Sequence, residues 1–266
     1  MDIERGPDIS GVLGFVGVGA IAEAILTGLC EGQVTPPSIN LSPRSAARTG
    51  RLAARYPSVH VADSNQGVVE RSDVVFLCVR PQDAPAALSE LAFHASQTVI
   101  SVVAGVQMDA LRQLVAPAEG LVRAIPLPAV ARRSGLTAIH PPHELARAIF
   151  EPLGGVIAVG DEQALDALSA STATIAAHLA YLDTISRWLS GRGIPESEAT
   201  RYVAAVFGAL AGTLSATPPE GFNALADEYA TTGGINEQLL TALRGAGTYD
   251  VVHRALDDVA DRLAGE

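Results

Sequence analysis

Through the first 160 residues, short apolar runs alternate with stretches whose apolar positions recur every three or four residues. Runs of the first kind occupy 13–16, 39–41, 59–61, 73–79, 98–104 and 121–125, and short helices fill the intervals. Such alternation predicts βαβ units and a parallel sheet covered on both faces. The unbroken run Val74-Val75-Phe76-Leu77-Cys78-Val79 fits a central strand buried on both sides. Two further candidates, 136–139 and 155–159, extend the sheet at its far edge. After Gly160 the pattern becomes helical, with helices predicted over 171–190, 197–214, 222–229, 236–243 and 249–263. Gly191-Arg192-Gly193-Ile194-Pro195 and Thr217-Pro218-Pro219 punctuate them. The chain therefore reads as α/β, a doubly wound sheet over 1–160 followed by an all-α domain over 161–266. That domain is rich in Ala, with Gly208 and Gly212 inside one helix, and is expected to bury its surface against a second subunit.

The first strand runs straight into a glycine turn, Leu13-Gly14-Phe15-Val16-Gly17-Val18-Gly19-Ala20-Ile21-Ala22. This is the phosphate cradle of a Rossmann-type dinucleotide fold. Gly17 permits the sharp turn, Gly19 lets the backbone approach a pyrophosphate, and the helix opening at Ala20 and Ile21 aims free N–H groups at the anion. Ala22 keeps helix and strand close. An NAD site would place Asp or Glu about 20 residues on, to accept from the ribose hydroxyls. No acidic residue lies between Gly32 and Ala62; the second strand ends instead in Ser42-Pro43-Arg44-Ser45. A planar guanidinium between two hydroxyls suits a ribose phosphate, so the expected cofactor is NADP(H). Arg44, Arg48, Arg51 and Arg55 also share one helical face. Arg44, at the strand end, is assigned to the cofactor, and the other three to a solvated stripe.

Charge and composition remove other classes. A net charge of -11 disfavours nucleic acid and anionic membranes. Apolar stretches such as 202–212 are too short to span a bilayer, and the N-terminal Asp2, Glu4 and Asp8 resemble no targeting peptide, so a cytoplasmic protein is expected. Cys30 and Cys78 fall at a helix end and in an apolar strand; with no Cys-x-x-Cys and no clustered histidines, neither a disulfide framework nor a metal site is predicted. His60, His94, His140, His143 and His253 read as surface or turn residues. All 18 basic side chains are Arg, which rules out lysine Schiff bases and lysine acid–base chemistry.

Taken in order, these segments resemble the pyrroline-5-carboxylate reductase family over essentially the whole chain. The glycine turn with Ala22 and Ala24-Ile25 matches that family, as do the ribose-phosphate loop Ser42-Pro43-Arg44-Ser45 and Asn65 on the adenosine side. Val79-Arg80-Pro81-Gln82 matches its Val-Lys-Pro-Gln strand end, and Ile100-Ser101 through Ala104-Gly105-Val106 its nicotinamide-side strand. Asp166-Ala167-Leu168-Ser169 and Thr231-Thr232-Gly233-Gly234 fall where its substrate loops belong. The resemblance implies hydride transfer from NADPH to a cyclic imine, within a homodimer or larger homo-oligomer. It implies that Thr231, Thr232, Gly233, Gly234 and Asn236 position the substrate and that Thr172 donates beside it.

The substrate side departs from the family pattern. Arg123-Ala124-Ile125-Pro126-Leu127-Pro128-Ala129 has Leu127 where the family has Asn. Ser169-Ala170-Ser171-Thr172-Ala173-Thr174 lacks the glycines and proline of Ser-Gly-Ser-Gly-Pro-Ala, and the Ser-Pro-Gly-Gly-x-Thr loop has become Thr231-Thr232-Gly233-Gly234-Ile235-Asn236. Losing exposed backbone N–H groups changes how an anion is held, so the substrate need not be the pyrroline carboxylate. His178, Tyr181, Ile185 and Trp188 recur on one helical face. Tyr181 or His178 there could supply a proton, and the same spacing is that of a packing seam. Two other readings share parts of the pattern: a carbonyl reductase on a related scaffold, disfavoured by the missing lysine, and a cofactor-binding protein without catalysis.

Overall fold

The computed structural model describes residues 11–31, 36–216 and 221–265. Asp2, Glu4 and Asp8, and the Thr217-Pro218-Pro219 break, lie outside them. The chain divides into two compact units, one comprising the residues through Ser169 together with those from Ala260, the other Ala170–Val259.

The first unit is built on eight strands: β1 (Leu13–Val16), β2 (Ile39–Leu41), β3 (Val59–Val61), β4 (Val74–Leu77), β5 (Thr98–Ser101), β6 (Gly120–Ile125), β7 (Thr137–His140) and β8 (Val156–Ala158). They lie in the order β3-β2-β1-β4-β5-β6-β7-β8. Pairing is parallel except between β6 and β7. That pair is joined by a tight 3-10 turn over Pro128–Arg132 rather than a helical crossover, which makes it antiparallel. Parallel pairing from β3 to β6 places their C-terminal ends on one edge, and the order of strands reverses at β1. Strands predicted over 73–79 and 98–104 stop earlier, at Leu77 and Ser101, because the residues beyond turn away as loops on that edge. Cys78 N–H still reaches the Val16 carbonyl at 2.8 Å, and Val102 N–H reaches Leu77 at 3.0 Å.

Helices α1 (Ala20–Cys30), α2 (Ala46–Arg55), α3 (Asn65–Glu70), α4 (Ala84–Leu88), α5 (Met108–Val115) and α6 (Glu144–Phe150) complete the βα units, followed by α7 (Glu162–Ser171). Side chains alternate along each strand between two apolar cores. Leu13, Phe15, Val74 and Phe76 join α1 and α6, whereas Val16, Val75, Leu77 and Val99 join α3, α4 and α5. Phe15 and Phe76 stack at 4.6 Å and Phe150 meets Phe76 edge-on at 6.1 Å. Cys30 is buried and Cys78 half-buried; both are free thiols, and desolvation pushes both above the ordinary thiol range.

The second unit holds α8 (Thr174–Ser190), α9 (Glu196–Ala216), α10 (Phe222–Tyr229), α11 (Ile235–Gly245) and most of α12 (Thr248–Ala264). The predicted helix over 171–190 is interrupted at its start, where Thr172 and Ala173 separate α7 from α8. Helices α8 and α9 pack antiparallel, with Ser186 Oγ 3.0 Å from Thr200 Oγ1. Large apolar side chains stay exposed on this unit, among them Leu179, Tyr202 and Ile235. Among the described residues no helix is long and apolar enough to cross a membrane.

Helix α1 meets the 3-10 turn through Gly28. A Cβ there would lie 2.3 Å from the Val130 carbonyl oxygen, and Arg133 Nε donates to the Gly28 carbonyl at 3.1 Å. Gly28→Ala must push backbone against backbone and is expected to lower unfolding stability by ~1–3 kcal/mol. An unchanged urea midpoint would show that α1 is free to retreat.

Candidate cofactor site and substrate loops

The turn after β1 is tied down from three directions. Gly17 has φ +90°, and a Cβ on it would sit 2.7 Å from the Cys78 carbonyl oxygen. Its N–H donates to Ser42 Oγ at 2.9 Å, while the carbonyl of Val16 accepts from Cys78 N–H at 2.8 Å. The peptide between Val16 and Gly17 is thus held at both ends by the chain leaving β2 and β4. Two peptides further, Arg48 Nη1 on α2 donates to the Val18 carbonyl at 3.1 Å. Gly19 is extended and precedes α1; an added Cβ there would meet nothing within 4 Å. Its N–H finds no partner among the described residues, and the first-turn N–H groups of Ala20 and Ile21 have none within the helix. The cradle fits an anion: donors converge beside open space, at the strand-order reversal where α/β folds bind nucleotides.

Arg44 lies in the short 3-10 turn Pro43–Ser45 just past β2, its side chain 76% exposed. Ser42 turns inward and is buried, its hydroxyl oxygen accepting from Gly17. Arg80, just past β4, donates through Nε to Asp83 at 2.8 Å, and the same carboxylate lies 4.0 Å from Arg44 Nη1. Two guanidinium groups from the strands flanking β1 thus share one acid, which linear spacing does not reveal. Asn65 opens α3, where Ser64 accepts from Gly67 N–H at 3.0 Å. Val79 is half-buried beside exposed Arg80 and Pro81. Ala104 and Gly105 form an exposed turn past β5, with Gly105 at φ +67°.

Of the solvated stripe predicted for Arg48, Arg51 and Arg55, the last two keep exposed side chains, and Arg48 departs from it, half-buried and bonded to the Val18 carbonyl. Arg48 Nε and Arg51 Nη2 grip Glu23 of α1 at 3.0 and 2.6 Å, and Arg55 pairs with Glu31. Helix α2 runs beside α1, so its basic face meets the acids of α1. Arg48 is the one of these that also touches the glycine turn.

Asp166-Ala167-Leu168-Ser169, expected as a substrate loop, is helical and lies within α7. Leu165 and Asp166 turn inward, and Asp166 Oδ1 accepts from buried Arg123 Nη2 at 2.8 Å. Glu162 Oε1 takes Arg123 Nη1 at 2.6 Å and the Met108 N–H at 2.7 Å. Gln107, two residues past Gly105, donates to Asp166 at 3.1 Å and to the Leu263 carbonyl at 2.7 Å. A buried cation is compensated by two carboxylates, which fasten the loop after β5 to α7, while Gln107 ties that loop to the end of α12.

In the helical unit, Thr231 to Gly234 form a tight turn before α11. Gly233 has φ +73°, its N–H donates to Glu237 Oε2 at 2.6 Å, and Gly234 N–H donates to the Thr231 carbonyl at 2.8 Å. This resembles a capping box, with the acid in the first helical turn reaching back to an N–H ahead of the helix. Thr231 and Thr232 are exposed, and Asn236 Nδ2 donates to the Tyr229 carbonyl at 3.1 Å. Thr172 lies in the turn between α7 and α8, its carbonyl accepting from Ile175 N–H at 3.1 Å. Tyr181, His178 and Phe207 form a ring cluster with centroids 5.9–6.5 Å apart, seaming α8 to α9. Trp188 instead lies under the Arg192 guanidinium at 5.0 Å.

Residues 12–105 match a family profile described as NADP oxidoreductase coenzyme F420-dependent, and residues 162–265 match pyrroline-5-carboxylate reductase dimerisation. A pyrroline-5-carboxylate reductase from Corynebacterium melassecola is 26% identical over 261 residues, covering 93% of this chain and 95% of that one. The chain belongs to the pyrroline-5-carboxylate reductase family. Among solved structures, the family member from Streptococcus pyogenes superposes with a TM-score of 0.82 at 24% identity, covering 96% of this chain and 99% of that one. The Plasmodium falciparum pyrroline carboxylate reductase, solved with NADP bound, gives 0.80 at 17% identity over 96% and 97% of the two chains. For this distant member of the pyrroline-5-carboxylate reductase family, these likenesses establish a Rossmann-like sheet domain followed by a helical dimerisation domain.

The Arg123 cluster carries a direct test. Arg123→Met leaves Glu162 and Asp166 without their cation and is expected to destabilise the protein by about 3–5 kcal/mol in denaturant unfolding. A loss below about 1 kcal/mol would mean that solvent, not Arg123, compensates the two acids.

Proposed function

We propose that the protein is an NADPH-dependent imine reductase whose preferred substrate carries no carboxylate. The reading rests first on the glycine turn, where the Gly19 N–H has no partner among the described residues and a Cβ on Gly19 would meet nothing within 4 Å, at the strand-order reversal. Gly17, Val18, Gly19, Ala20 and Ile21 would hold the pyrophosphate through backbone N–H groups. Arg44, Ser45 and Arg80 would hold the ribose phosphate, with Ser42 setting the turn from beneath. Asn65, Val79 and Pro81 would border the adenosine, and Ala104 and Gly105 the nicotinamide. When bound, the reduced nicotinamide supplies hydride to the C=N carbon. A protonated imine already carries its proton, so the chain need only orient it, and the absence of lysine is no obstacle. Thr172, Thr231, Thr232 and Asn236 are the polar groups proposed to orient it, with Gly233 and Gly234 shaping the loop. The exposed apolar faces of α8 and α9 support pairing with a second copy through the dimerisation domain.

The substrate class follows from Glu237. Its carboxylate already occupies the Gly233 N–H at 2.6 Å, so a second anion arriving at that turn would find a donor taken and a like charge beside it. A neutral or cationic imine meets no such repulsion.

Two measurements test this. Wild-type protein with NADPH should reduce 1-pyrroline and 2-methyl-1-pyrroline with higher kcat/KM than 1-pyrroline-5-carboxylate, and Glu237→Gln should narrow the gap. Preference for the carboxylate would overturn the substrate class, and NADPH binding without turnover of any imine would favour a non-catalytic protein. Arg44→Ala should raise the Kd for NADPH by roughly 10–100-fold, the worth of a charged hydrogen bond or two, with little change for NADH. Equal losses would remove the phosphate assignment.

A further inference from the structure

We propose that Arg48 is a positioning residue of the cofactor site, a clamp on the Val18–Gly19 peptide rather than a ligand of the cofactor. The inference rests on the NADPH reading above. A trans peptide is planar, and its C=O and N–H point to opposite sides. Fixing the Val18 carbonyl therefore fixes where the Gly19 N–H points. Arg48 Nη1 holds that carbonyl at 3.1 Å, and Arg48 Nε is itself held by Glu23 at 3.0 Å. The Gly19 N–H is then left facing away from α2, with open space where its own Cβ would be. Glycine at 19 has the freest backbone of any residue, so without a clamp this peptide could flip and present its carbonyl oxygen to an anion. The Val16–Gly17 peptide, two before it, has its own restraints in Ser42 and Cys78. For Val18–Gly19, Arg48 is the side chain that supplies one.

The geometry separates this role from direct phosphate binding. Arg48 is already paired with an acid and spends one nitrogen on a backbone carbonyl, whereas Arg44 is mostly exposed and its nearest acid, Asp83, is 4.0 Å away. A clamp acts on the pyrophosphate, which NADPH and NADH share. A phosphate ligand acts on the 2′-phosphate, which only NADPH carries.

The experiment is equilibrium binding of NADPH, NADH and adenosine 2′-monophosphate to wild type, Arg48→Ala, Arg48→Lys and Arg44→Ala, with thermal midpoints recorded so that binding is compared well below unfolding. Arg48→Ala should raise the Kd for NADPH and NADH by the same factor, about 5- to 20-fold, the range of one hydrogen bond and its orienting effect, and leave adenosine 2′-monophosphate unaffected. Arg48→Lys, which keeps a cationic donor, should recover part of the loss for both. Arg44→Ala should weaken NADPH and adenosine 2′-monophosphate and spare NADH. If Arg48→Ala weakened NADPH alone, Arg48 would be a 2′-phosphate ligand and the clamp would be wrong; unchanged affinities would overturn it equally. Equal losses of NADPH and NADH in Arg44→Ala would overturn the phosphate reading and leave the clamp standing. Wild type that bound neither dinucleotide would overturn both.

Discussion

As the chain leaves β1, it passes so close beneath the Cys78 carbonyl that Gly17 has room for a hydrogen on its outer face and nothing larger. Its positive φ, the inward hydroxyl of Ser42 and the N–H of Cys78 are consequences of that approach, which holds the ends of β1, β2 and β4 together as a single edge. Everything proposed for the cofactor depends on this edge being rigid. A loop free to rearrange would lose entropy on each binding event, whereas a turn fixed by three neighbours presents its donors already aimed.

The two units reach order by different means. In the first, alternating strand positions fill two apolar cores, and the buried Arg123 is answered locally by Glu162 and Asp166. In the second, apolar side chains such as Leu179 and Tyr202 remain exposed on helices whose profile is that of a dimerisation domain. For the anionic cofactor proposed above, a chain with net charge -11 needs a local positive site. At the edge proposed for it, arginines are held by neighbouring acids, Glu23 against Arg48 and Asp83 between Arg80 and Arg44, so the positive groups are positioned without being spread over the surface.

Strands β1, β2 and β3 could be read from the chain residue by residue, because apolar runs bounded by Gly, Pro and Ser are a local signal. The sharp turn at Gly17 and the place of Arg44 just past β2 were legible for the same reason, a spacing of a few residues. Helix α7 was not, since its inward face is only Leu165, Asp166 and Ala170, and a buried acid mimics a loop until its partner on β6 is known. Glu23, Arg48 and Asp83 escaped the pattern because their partners come from neighbouring strands and helices, and only the sheet order brings them together. Glu237 was within reach. An acid three residues after Gly234 has the spacing of a helix cap, a signal left unread above, and in the structure it takes the N–H of Gly233, one residue before the cap.

A crystal structure of the protein with NADPH bears most directly on the preformed turn. The pyrophosphate should lie within hydrogen-bonding distance of the Gly19 N–H, with Gly17 still at positive φ and the Val18 carbonyl still on Arg48. A pyrophosphate bound elsewhere, or a turn reshaped to receive it, would contradict the central claim that the cradle exists before its ligand arrives.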